Sequence, residues 1–379
     1  MRNIIAEYIW QDAIGNFRSK SMTVPTSTYL NEFEIINNLD LYPSWSYDGS
    51  STGQASGNDS EIILKPVKIF KNPFRNKMLS GVFNKNLGWF QNNLLQTVLV
   101  LCETFHPDGT PTKINTRAKA REIFTKYHNL KPWYGIEQEF FIMQVDSSNH
   151  TTNKNLLPLG FQKDVVPEPQ GQYYCSVGSH NSFGRNIVEL AYSLCLFTGI
   201  KISGINAEVA PGQWELQVGP CLGIEAGDQL SITRYILHRV SEIYNVSINI
   251  EPKPLEGDWN GSGCHINFST EAMRETGGLQ HILEAIEKLK KKHSEHIVLM
   301  GKDNQKRMTG KHETADYNTF NFGVANRGAS VRIPRKVNFE GKGYFEDRRP
   351  AANMDPYLVT SIMLETIGEG LEIESTETA

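Results

Sequence analysis

The sequence contains few cysteines and no excess of basic residues, and each of these absences excludes a class of protein. Its five cysteines are scattered and form no Cys-x-x-Cys pair, so neither a disulfide framework nor a zinc cluster is expected, and a reducing cytosol fits best. The formal net charge of −4 argues against nucleic-acid or membrane partners, since either would need a basic surface. The longest apolar run, around residues 94–102, is far too short to span a bilayer.

Several common sequence motifs are also missing. No signal peptide is expected, because Glu7 and Asp12 interrupt the short apolar start of the chain. The sequence has no Walker A loop, no Rossmann fingerprint, no Gly-x-Ser-x-Gly and no His-Glu-x-x-His. Any nucleotide must therefore be held in some other way.

The length of 379 residues exceeds the usual size of a single hydrophobic core, so two domains are expected. Residues 1–106 are predicted to form a β-rich domain, and a turn cluster near residue 106 separates it from the second domain, residues 107–379. The strands predicted in the first domain cover residues 4–10, 17–24, 61–68 and 94–104, of which the first two form a hairpin. The helices predicted in the second domain cover residues 115–127, 184–197, 225–244, 279–299 and 355–367.

The segment of residues 133–142 alternates in polarity and is rich in aromatic and β-branched residues, as strands are. Because side chains on a strand repeat with a period of two, Glu137 and Glu139 should point to the same face, roughly 7 Å apart. Two acids so placed are either solvated on an exposed sheet face or share a divalent cation. The segment by itself does not decide between these interpretations.

A second carboxylate pair is predicted within residues 206–218. A regular hairpin that turns at Pro211 and Gly212 would place Glu208 directly opposite Glu215, with the two Cβ atoms about 5 Å apart. Like charges directly opposite each other destabilise a sheet unless a cation or a proton lies between them. Two such pairs in one chain favour a metal site, although solvated acids remain the alternative.

One histidine and several arginines add to the candidate site. His265 follows a glycine-dense loop in which a ligand could approach the backbone, although a packed or surface histidine is the alternative. Short basic clusters follow between residues 306 and 349. A guanidinium group binds phosphate or carboxylate as a planar fork, so these arginines suit an anionic substrate, with scattered surface charge as the alternative.

These motifs resemble those of the eukaryotic (type II) glutamine synthetase family over essentially the full length of the chain. The likeness is closest to the plant-like pattern, in YDGSSTGQA at residues 47–55 and GKGYFEDRRP at residues 341–350. The resemblance implies an α+β fold, with an N-terminal β-grasp domain and a C-terminal catalytic domain in which a curved antiparallel sheet is flanked by helices. It also implies a glutamate–ammonia ligase of glutamine biosynthesis and nitrogen assimilation, which condenses L-glutamate with ammonia at the expense of ATP through a γ-glutamyl phosphate.

The resemblance assigns roles residue by residue. It implies two or three Mg²⁺ or Mn²⁺ ions per active site, with metal ligands Glu139, Glu208 and Glu215 at one ion and Glu137, His265 and Glu346 at another. The residues that would bind glutamate and its transferred phosphoryl group are Asn260, Gly261, Arg307, Arg327 and Arg348. The residues that would lie around the nucleotide are Trp133, Asn267, Ser269, Arg332 and Tyr344. The catalytic residues would be Arg327 and Arg348, at the phosphoryl group, and Asp48 and Glu313, which would take a proton from ammonium.

The resemblance further implies a cytoplasmic homodecamer of two stacked pentameric rings, in which the Asp48 loop reaches the active site of the neighbouring subunit. The chain departs from the family pattern in residues 145–169 and at Lys311, where the family usually has an apolar residue. Two alternatives remain: a related ligase that uses an amine in place of ammonia, and a relative without catalysis. The retained Asp48 and Glu313 argue against the first, and the six metal ligands argue against the second.

Overall fold

Two β-sheets organise the chain, and each lies in one of its two compact units. The computed structural model describes residues 2–26, 30–74, 96–145, 156–162, 167 and 169–371. One unit comprises Met1–Lys119 and Ser193–Ile200, and the other comprises Ala120–Tyr192 and Lys201–Ala379. No helix within the described ranges is long and apolar enough to cross a membrane.

The sheet of the first unit has five strands around one apolar core. The strands are β1 (Arg2–Gln11), β2 (Phe17–Thr26), β3 (Trp45–Asp48), β4 (Glu61–Lys71) and β5 (Gln96–Phe105). Their order is β2-β1-β5-β4-β3, with β1 antiparallel to β2 and parallel to β5. Ile35 of helix α1 (Glu32–Asn37) joins the buried core that Tyr8, Leu64 and Val100 form. This mixed sheet confirms the predicted β-grasp fold.

The first hairpin forms as its sequence predicts, because Asp12 organises the turn. Its carboxylate accepts the backbone N–H groups of Ile14 and Asn16, both at 3.0 Å. Gly15 adopts a φ of +88°, which glycine reaches without steric penalty. Strands β4 and β5 also lie where they were predicted. Residues 94 and 95 of the predicted fourth strand, and most of residues 145–169, lie outside the described residues.

The sheet of the second unit has eight strands and carries the candidate site. The strands are β6 (Trp133–Gln144), β7 (Ile202–Ala207), β8 (Gln213–Leu222), β9 (Val246–Asn249), β10 (Cys264–Ser269), β11 (Phe322–Val324), β12 (Val331–Ile333) and β13 (Phe345–Asp347). Their order is β11-β12-β13-β10-β6-β8-β7, and β9 pairs with β6 beside this path. All pairs except β11–β12 are antiparallel, so the predicted antiparallel sheet is confirmed.

The described helices after α1 include the five that the sequence predicts, one of them divided in two, and two short helices that it does not predict. They are α2 (Thr116–Lys126), α3 (Arg185–Thr198), α4 (Glu225–Tyr244), α5 (Glu271–Arg274), α6 (Gly278–Lys291), α7 (His293–Ile297), α8 (Arg335–Glu340) and α9 (Pro356–Gly368). The two that the sequence does not predict are α5 and α8. The single helix predicted over residues 279–299 was wrong. The backbone leaves the helical region at Lys292, with φ −99° and ψ 10°, so that α6 and α7 are separate helices.

Strand β6 is fixed from behind by a buried arginine. Tyr134, Ile136, Gln138 and Phe140 are buried on its rear face, opposite the face of the two glutamates. Arg234 of α4 donates from Nε to Gln138 Oε1 at 2.7 Å, and its Nη atoms donate to main-chain carbonyl groups at 2.9 and 3.0 Å. The carboxylate face of β6 is therefore presented by a rigid support.

Strand β13 is anchored by a fully buried ion pair. Glu346 and Arg348 point toward the candidate site, while Asp347 and Arg349 point into the interior and have no exposed surface. Arg349 donates to both carboxylate oxygens of Asp347, at 2.9 and 2.6 Å. The Arg349 Nη1 atom lies 3.2 Å from His293 Nδ1. A buried charge pair of this kind is stable only while both partners are present.

Replacement of Asp347 by alanine should therefore lower the free energy of unfolding by about 3–5 kcal/mol, because Arg349 would stay buried without its counter-charge. Urea unfolding of Asp347→Ala and wild type at one protein concentration measures this difference. The matched control is Glu271→Ala, which removes an ion pair with Lys131 whose side chains are 50% and 58% exposed. That change should cost less than about 1 kcal/mol. Equal effects of the two substitutions would contradict the assignment.

Candidate active site

One cavity on the front face of β6, β8, β10 and β13 collects the charged side chains predicted for the site. Its lining includes the predicted residues Glu137, Glu139, Glu208, Glu215, Asn260, Gly261, His265, Arg307, Glu313, Arg327, Arg332, Glu346 and Arg348. The lining is almost entirely polar and contains both negative and positive side chains. Two groups within it have the residue types and spacing of metal ligands.

The first group, called here the three-glutamate cluster, consists of Glu139, Glu208 and Glu215. One ligand oxygen of each lies within 4.8 Å of the others. Glu139 of β6 lies directly opposite Glu215 of β8 in the strand register, so two carboxylates occupy one cross-strand position. This is the destabilising arrangement that a cation relieves.

The predicted register of the second hairpin was wrong by two residues. Asn206, not Glu208, lies opposite Glu215, and the Glu208 N–H donates to the Gln213 carbonyl oxygen at 2.9 Å. The turn itself lies at Pro211 and Gly212 as predicted, with Gly212 at φ +70°. The two extra residues before it include Ala210, which is buried in an apolar cluster with other core residues. Packing of that methyl group, which a hairpin rule does not include, accounts for the shift.

Neutral amides hold the three glutamates without neutralising them. Glu139 accepts from the Gly263 N–H at 2.9 Å, Glu208 from an Asn206 amide at 2.9 Å, and Glu215 from a Gln217 amide at 2.6 Å. Burial first, and then a neighbouring carboxylate, raise the pKa of each glutamate to about 8. The donor set is all oxygen and oriented from outside, which suits a hard divalent cation.

The second group, called here the histidine cluster, consists of Glu137, His265 and Glu346. His265 lies opposite Glu137 across β6 and β10, and its Nδ1 is 3.5 Å from Glu137 Oε2 and 3.6 Å from Glu346 Oε1. Burial and then the nearby Arg348 hold the pKa of His265 well below its ordinary value, so the imidazole is neutral as a metal ligand must be. A Cβ atom at Gly263 would lie 2.5 Å from His265 Nε2, which explains the glycine.

Two arginines compensate the histidine cluster. Glu346 is fully buried and accepts from Arg348 Nη1 at 2.7 Å and from Arg332 Nε. Arg348 also donates to the main-chain oxygens of Arg327 and Glu313, at 3.0 and 3.2 Å. The side chains of Arg327 and Glu313 approach to 3.6 Å. The predicted catalytic groups of the second unit thus form one connected set.

The other part of the cavity offers a buried guanidinium and an unpaired amide oxygen. Arg307 donates from Nε to Asn304 and from Nη2 to main-chain carbonyl groups, and among the described residues none accepts from Nη1. Burial lowers the pKa of Arg307 to about 10, so it stays charged at neutral pH. Asn260 Oδ1 is buried and finds no donor within the described chain. A side chain at Gly261 would collide with Arg307, its Cβ lying 2.5 Å from Cγ.

Four residues predicted for the nucleotide do not line this cavity. Asn267 donates to Glu137 at 2.8 Å, and Ser269 accepts from Arg274 at 2.9 Å. The Arg274 guanidinium lies 4.0 Å from the centre of the Trp133 ring, which is 44% exposed. Tyr344 is 40% exposed. Their contact with a nucleotide remains a prediction.

Asp48 lies in the first unit, at the end of β3. Its carboxylate accepts from the Ser50 N–H and from the hydroxyl groups of Ser50 and Ser51, at 3.0, 2.6 and 2.6 Å. These hydrogen bonds, led by the Ser50 hydroxyl, lower the pKa of Asp48 to about 2. The carboxylate is therefore ionised and exposed at neutral pH.

Several lining residues were missed by sequence reasoning, namely Tyr174, Asn206, Gln213, Gln217 and His312. The period of two on β8 could have found two of them, because Gln213, Glu215 and Gln217 share one face. No sequence signal pointed to Tyr174 or His312, which lie in loops.

The fold and the site together define a class of protein in which two candidate metal-ligand clusters and four arginines line one polar cavity. The family described as "Glutamine synthetase, catalytic domain" matches residues 113–378. Glutamine synthetase from Kluyveromyces lactis is 49% identical over 369 residues, covering 97% of this chain and 90% of the relative. The Saccharomyces cerevisiae enzyme is 48% identical over 364 residues, 96% of this chain and 89% of the relative. The rice glutamine synthetase cytosolic isozyme 1-1 is 50% identical over 366 residues, which cover 96% of this chain and 93% of the relative.

The chain therefore belongs to the glutamine synthetase family, whose members are ligases that depend on ATP and divalent metal ions. This finding confirms the resemblance deduced from the sequence motifs.

The three-glutamate cluster predicts an unusual dependence of stability on pH. A glutamate whose pKa rises from 4.5 in the unfolded chain to about 8 in the folded protein stabilises the fold while protonated, and this contribution is lost as pH rises toward 8. The lowered pKa of His265 acts in the opposite sense, but only below its ordinary value of 6.5. Between pH 6.5 and 8, the metal-free protein should therefore become less stable.

Urea unfolding at pH 6.5 and at pH 8, first in a chelator and then in saturating Mg²⁺, measures this effect. Mg²⁺ should reverse the trend, because ionised carboxylates bind the cation more tightly. Glu215→Gln should weaken the trend in the chelator. Stability that rises with pH without the cation would contradict the assignment.

Proposed function

We propose that the protein synthesises L-glutamine from L-glutamate, ammonia and ATP through a γ-glutamyl phosphate, releasing ADP and phosphate. One observation carries the proposal. Two carboxylate clusters, of which one is bonded by no arginine among the described residues, share a cavity with four arginines. Such a cavity is stable and useful only if it receives cations together with an anionic substrate.

The three-glutamate cluster and the histidine cluster would each hold one Mg²⁺ or Mn²⁺ ion. The carboxylate oxygens, the neutral imidazole and the amides that orient them fit such ions. Bound ions would neutralise charge on the transferred phosphoryl group. The described residues offer ligand sets for two of the two or three ions that the family resemblance implies.

The arginines would then divide the anionic substrates between them. Arg307 would bind the glutamate carboxylate, and the unpaired Asn260 oxygen would accept from its ammonium group beside Gly261. Arg327 and Arg348 would face the transferred phosphoryl group, since they already form one connected set with the histidine cluster. A carboxylate is a poor acyl donor, and phosphorylation supplies its leaving group; positioned guanidinium groups stabilise the charge that develops.

Arg332 would bind nucleotide phosphates, with Trp133, Asn267, Ser269 and Tyr344 nearby. The exposure of the two aromatic rings supports this role, because a nucleotide base can stack only on an exposed ring face. The geometry of this contact depends on the nucleotide itself.

Glu313 and Asp48 would bind ammonium and take its proton, so that ammonia can attack the acyl phosphate. The low pKa of Asp48 suits the attraction of a cation from solvent. We further propose that the boundary between the β-grasp and catalytic domains lies near residue 106, just after β5 ends at Phe105. The protein would work in the cytosol as a homodecamer, in which Asp48 serves the site of a neighbouring subunit.

Replacement of Glu139 by alanine should abolish glutamine formation, because it removes one ligand and leaves the remaining carboxylates to repel each other. Loss of an outer partner of a metal ligand already costs about 10–100-fold, so loss of a ligand should cost more than about 100-fold in kcat. The measurement is glutamine formation from glutamate, ammonia and ATP, with Mn²⁺ binding followed by calorimetry. Glu287→Ala, at an exposed position of α6, is the control. Near-normal turnover with unchanged Mn²⁺ affinity would refute the assignment.

Shared active sites predict complementation between two inactive variants. Asp48→Ala and Glu139→Ala should each be inactive alone. Co-expressed with different tags and purified through both, they should regain about a quarter of wild-type activity, because one site in four would combine an intact Glu139 with a neighbour's intact Asp48. Mixed oligomers without activity would show that Asp48 does not act across the subunit boundary.

A further inference from the structure

The segment Gly310–Thr314, called here the flap segment, has a backbone that needs external support. His312 and Glu313 adopt φ values of +52° and +59°, so two consecutive residues other than glycine lie in the left-handed region. Side chains make this region unfavourable, and such residues persist only where surrounding contacts hold them. The contacts of the flap segment therefore decide whether Glu313 stays over the cavity.

The residues that contact Glu313 are themselves assigned to the reaction. Arg348 donates to its main-chain oxygen at 3.2 Å, and Arg327 approaches its carboxylate at 3.6 Å. Both arginines would reorient toward a phosphoryl group during the proposed reaction. They are poor permanent supports for that reason.

His312 has contacts that are independent of the reactants. Its Nε2 lies 3.2 Å from the Asp258 carboxylate, and its Nδ1 lies 3.2 Å from Gln170 Nε2. The same Gln170 amide donates to the Asp258 main-chain oxygen at 3.1 Å. Three chain segments far apart in sequence thus meet at one imidazole.

The hydrogen-bond partners specify which ring nitrogen of His312 donates and which accepts. A main-chain carbonyl oxygen can only accept, so the Gln170 atom that faces Asp258 is the amide NH₂ group. The imidazole Nδ1 that faces the same NH₂ group must accept as well. In this arrangement Nδ1 of His312 accepts from Gln170, and Nε2 donates to the Asp258 carboxylate.

The loop that receives His312 is itself anchored. Lys253 Nζ donates to the Gly257 main-chain oxygen at 3.2 Å and also to that of Trp259. Trp259 is buried in an apolar cluster. Asp258 lies between these two anchored residues, and Asn260, assigned above to glutamate, follows directly. A contact with Asp258 thus ties the flap segment to the substrate loop.

We propose that His312 is a positioning residue that holds the flap segment against the Asp258 loop and so shields the acyl phosphate from water. This inference rests on the proposed function. If water reached the intermediate, its oxygen would bond to the γ-carbon and the bond to the phosphate oxygen would break, which returns glutamate and releases phosphate. ATP would then be consumed without glutamine, so the contact affects coupling rather than chemistry.

The test compares variants that keep different parts of the contact. His312→Phe keeps a ring and loses both hydrogen bonds, His312→Gln keeps a donor toward Asp258, and His312→Asn keeps an acceptor toward Gln170. The readout is ADP formed per glutamine formed. Wild type should give about one. Since an ordinary hydrogen bond shifts an equilibrium by about two- to ten-fold, His312→Phe should raise the uncoupled excess, which is ADP per glutamine minus one, by that factor, and the other two variants by less.

His281→Phe is the matched control, because His281 is exposed on α6 and its Nδ1 lies 3.6 Å from Glu284 of the same helix. It should leave the ratio at the wild-type value. Asp258→Ala should raise the ratio as His312→Phe does, and the double variant should do no more than either alone, as expected for one shared contact. Thermal unfolding of each variant shows whether it is folded, and the two polar variants carry the test if His312→Phe is not.

The outcomes separate this inference from the proposed function. A wild-type protein that forms no glutamine from glutamate, ammonia and ATP would overturn the proposed function itself. A wild-type protein that forms glutamine, together with a folded His312→Phe variant whose uncoupled excess stays at the wild-type value, would overturn only the role of His312. Additive effects of Asp258→Ala and His312→Phe would also overturn it.

Discussion

Repulsion between carboxylates is the constraint around which the second unit is built. Glu139 and Glu215 occupy one cross-strand position, and Glu208 brings a third carboxylate within the same 4.8 Å. Amide donors orient these groups but supply no positive charge. The result is a set of acids whose pKa values lie near neutrality, which is the electrostatic signature of a site prepared for cations.

The two clusters meet this constraint differently. Glu346 of the histidine cluster is bound by Arg332 and Arg348, so its charge is already compensated inside the protein. No arginine among the described residues bonds to the three-glutamate cluster. Its negative charge is therefore less compensated within the protein, and a bound cation would stabilise it more. The rigid supports lie behind both: Arg234 behind β6, and the buried pair of Asp347 with Arg349 behind β13. Structural charges are thus kept on rear faces and reactive charges on front faces.

Local sequence rules predicted most elements but not the details that depend on packing. Helix α4 lies at Glu225–Tyr244, where the sequence predicts it, since helical periodicity and helix ends are local properties. The register of β7 with β8 was wrong because Ala210 is buried in a cluster assembled from distant segments. Lys292 ends α6 although the apolar period continues through it. Tyr174 and His312 escaped prediction because loops carry no period.

The sequence by itself determined that Glu137 and Glu139 share a face of β6, because strand geometry makes that true of any residues two apart. Only the tertiary structure decided that they belong to different groups. Strand β10 places His265 beside Glu137, and strand β8 places Glu215 beside Glu139. These neighbours come from parts of the chain that no local rule connects, since strand order is set by the packing of the whole sheet. Glu137 and Glu139, which form one pair of acids in the sequence, therefore belong to two separate candidate ligand sets.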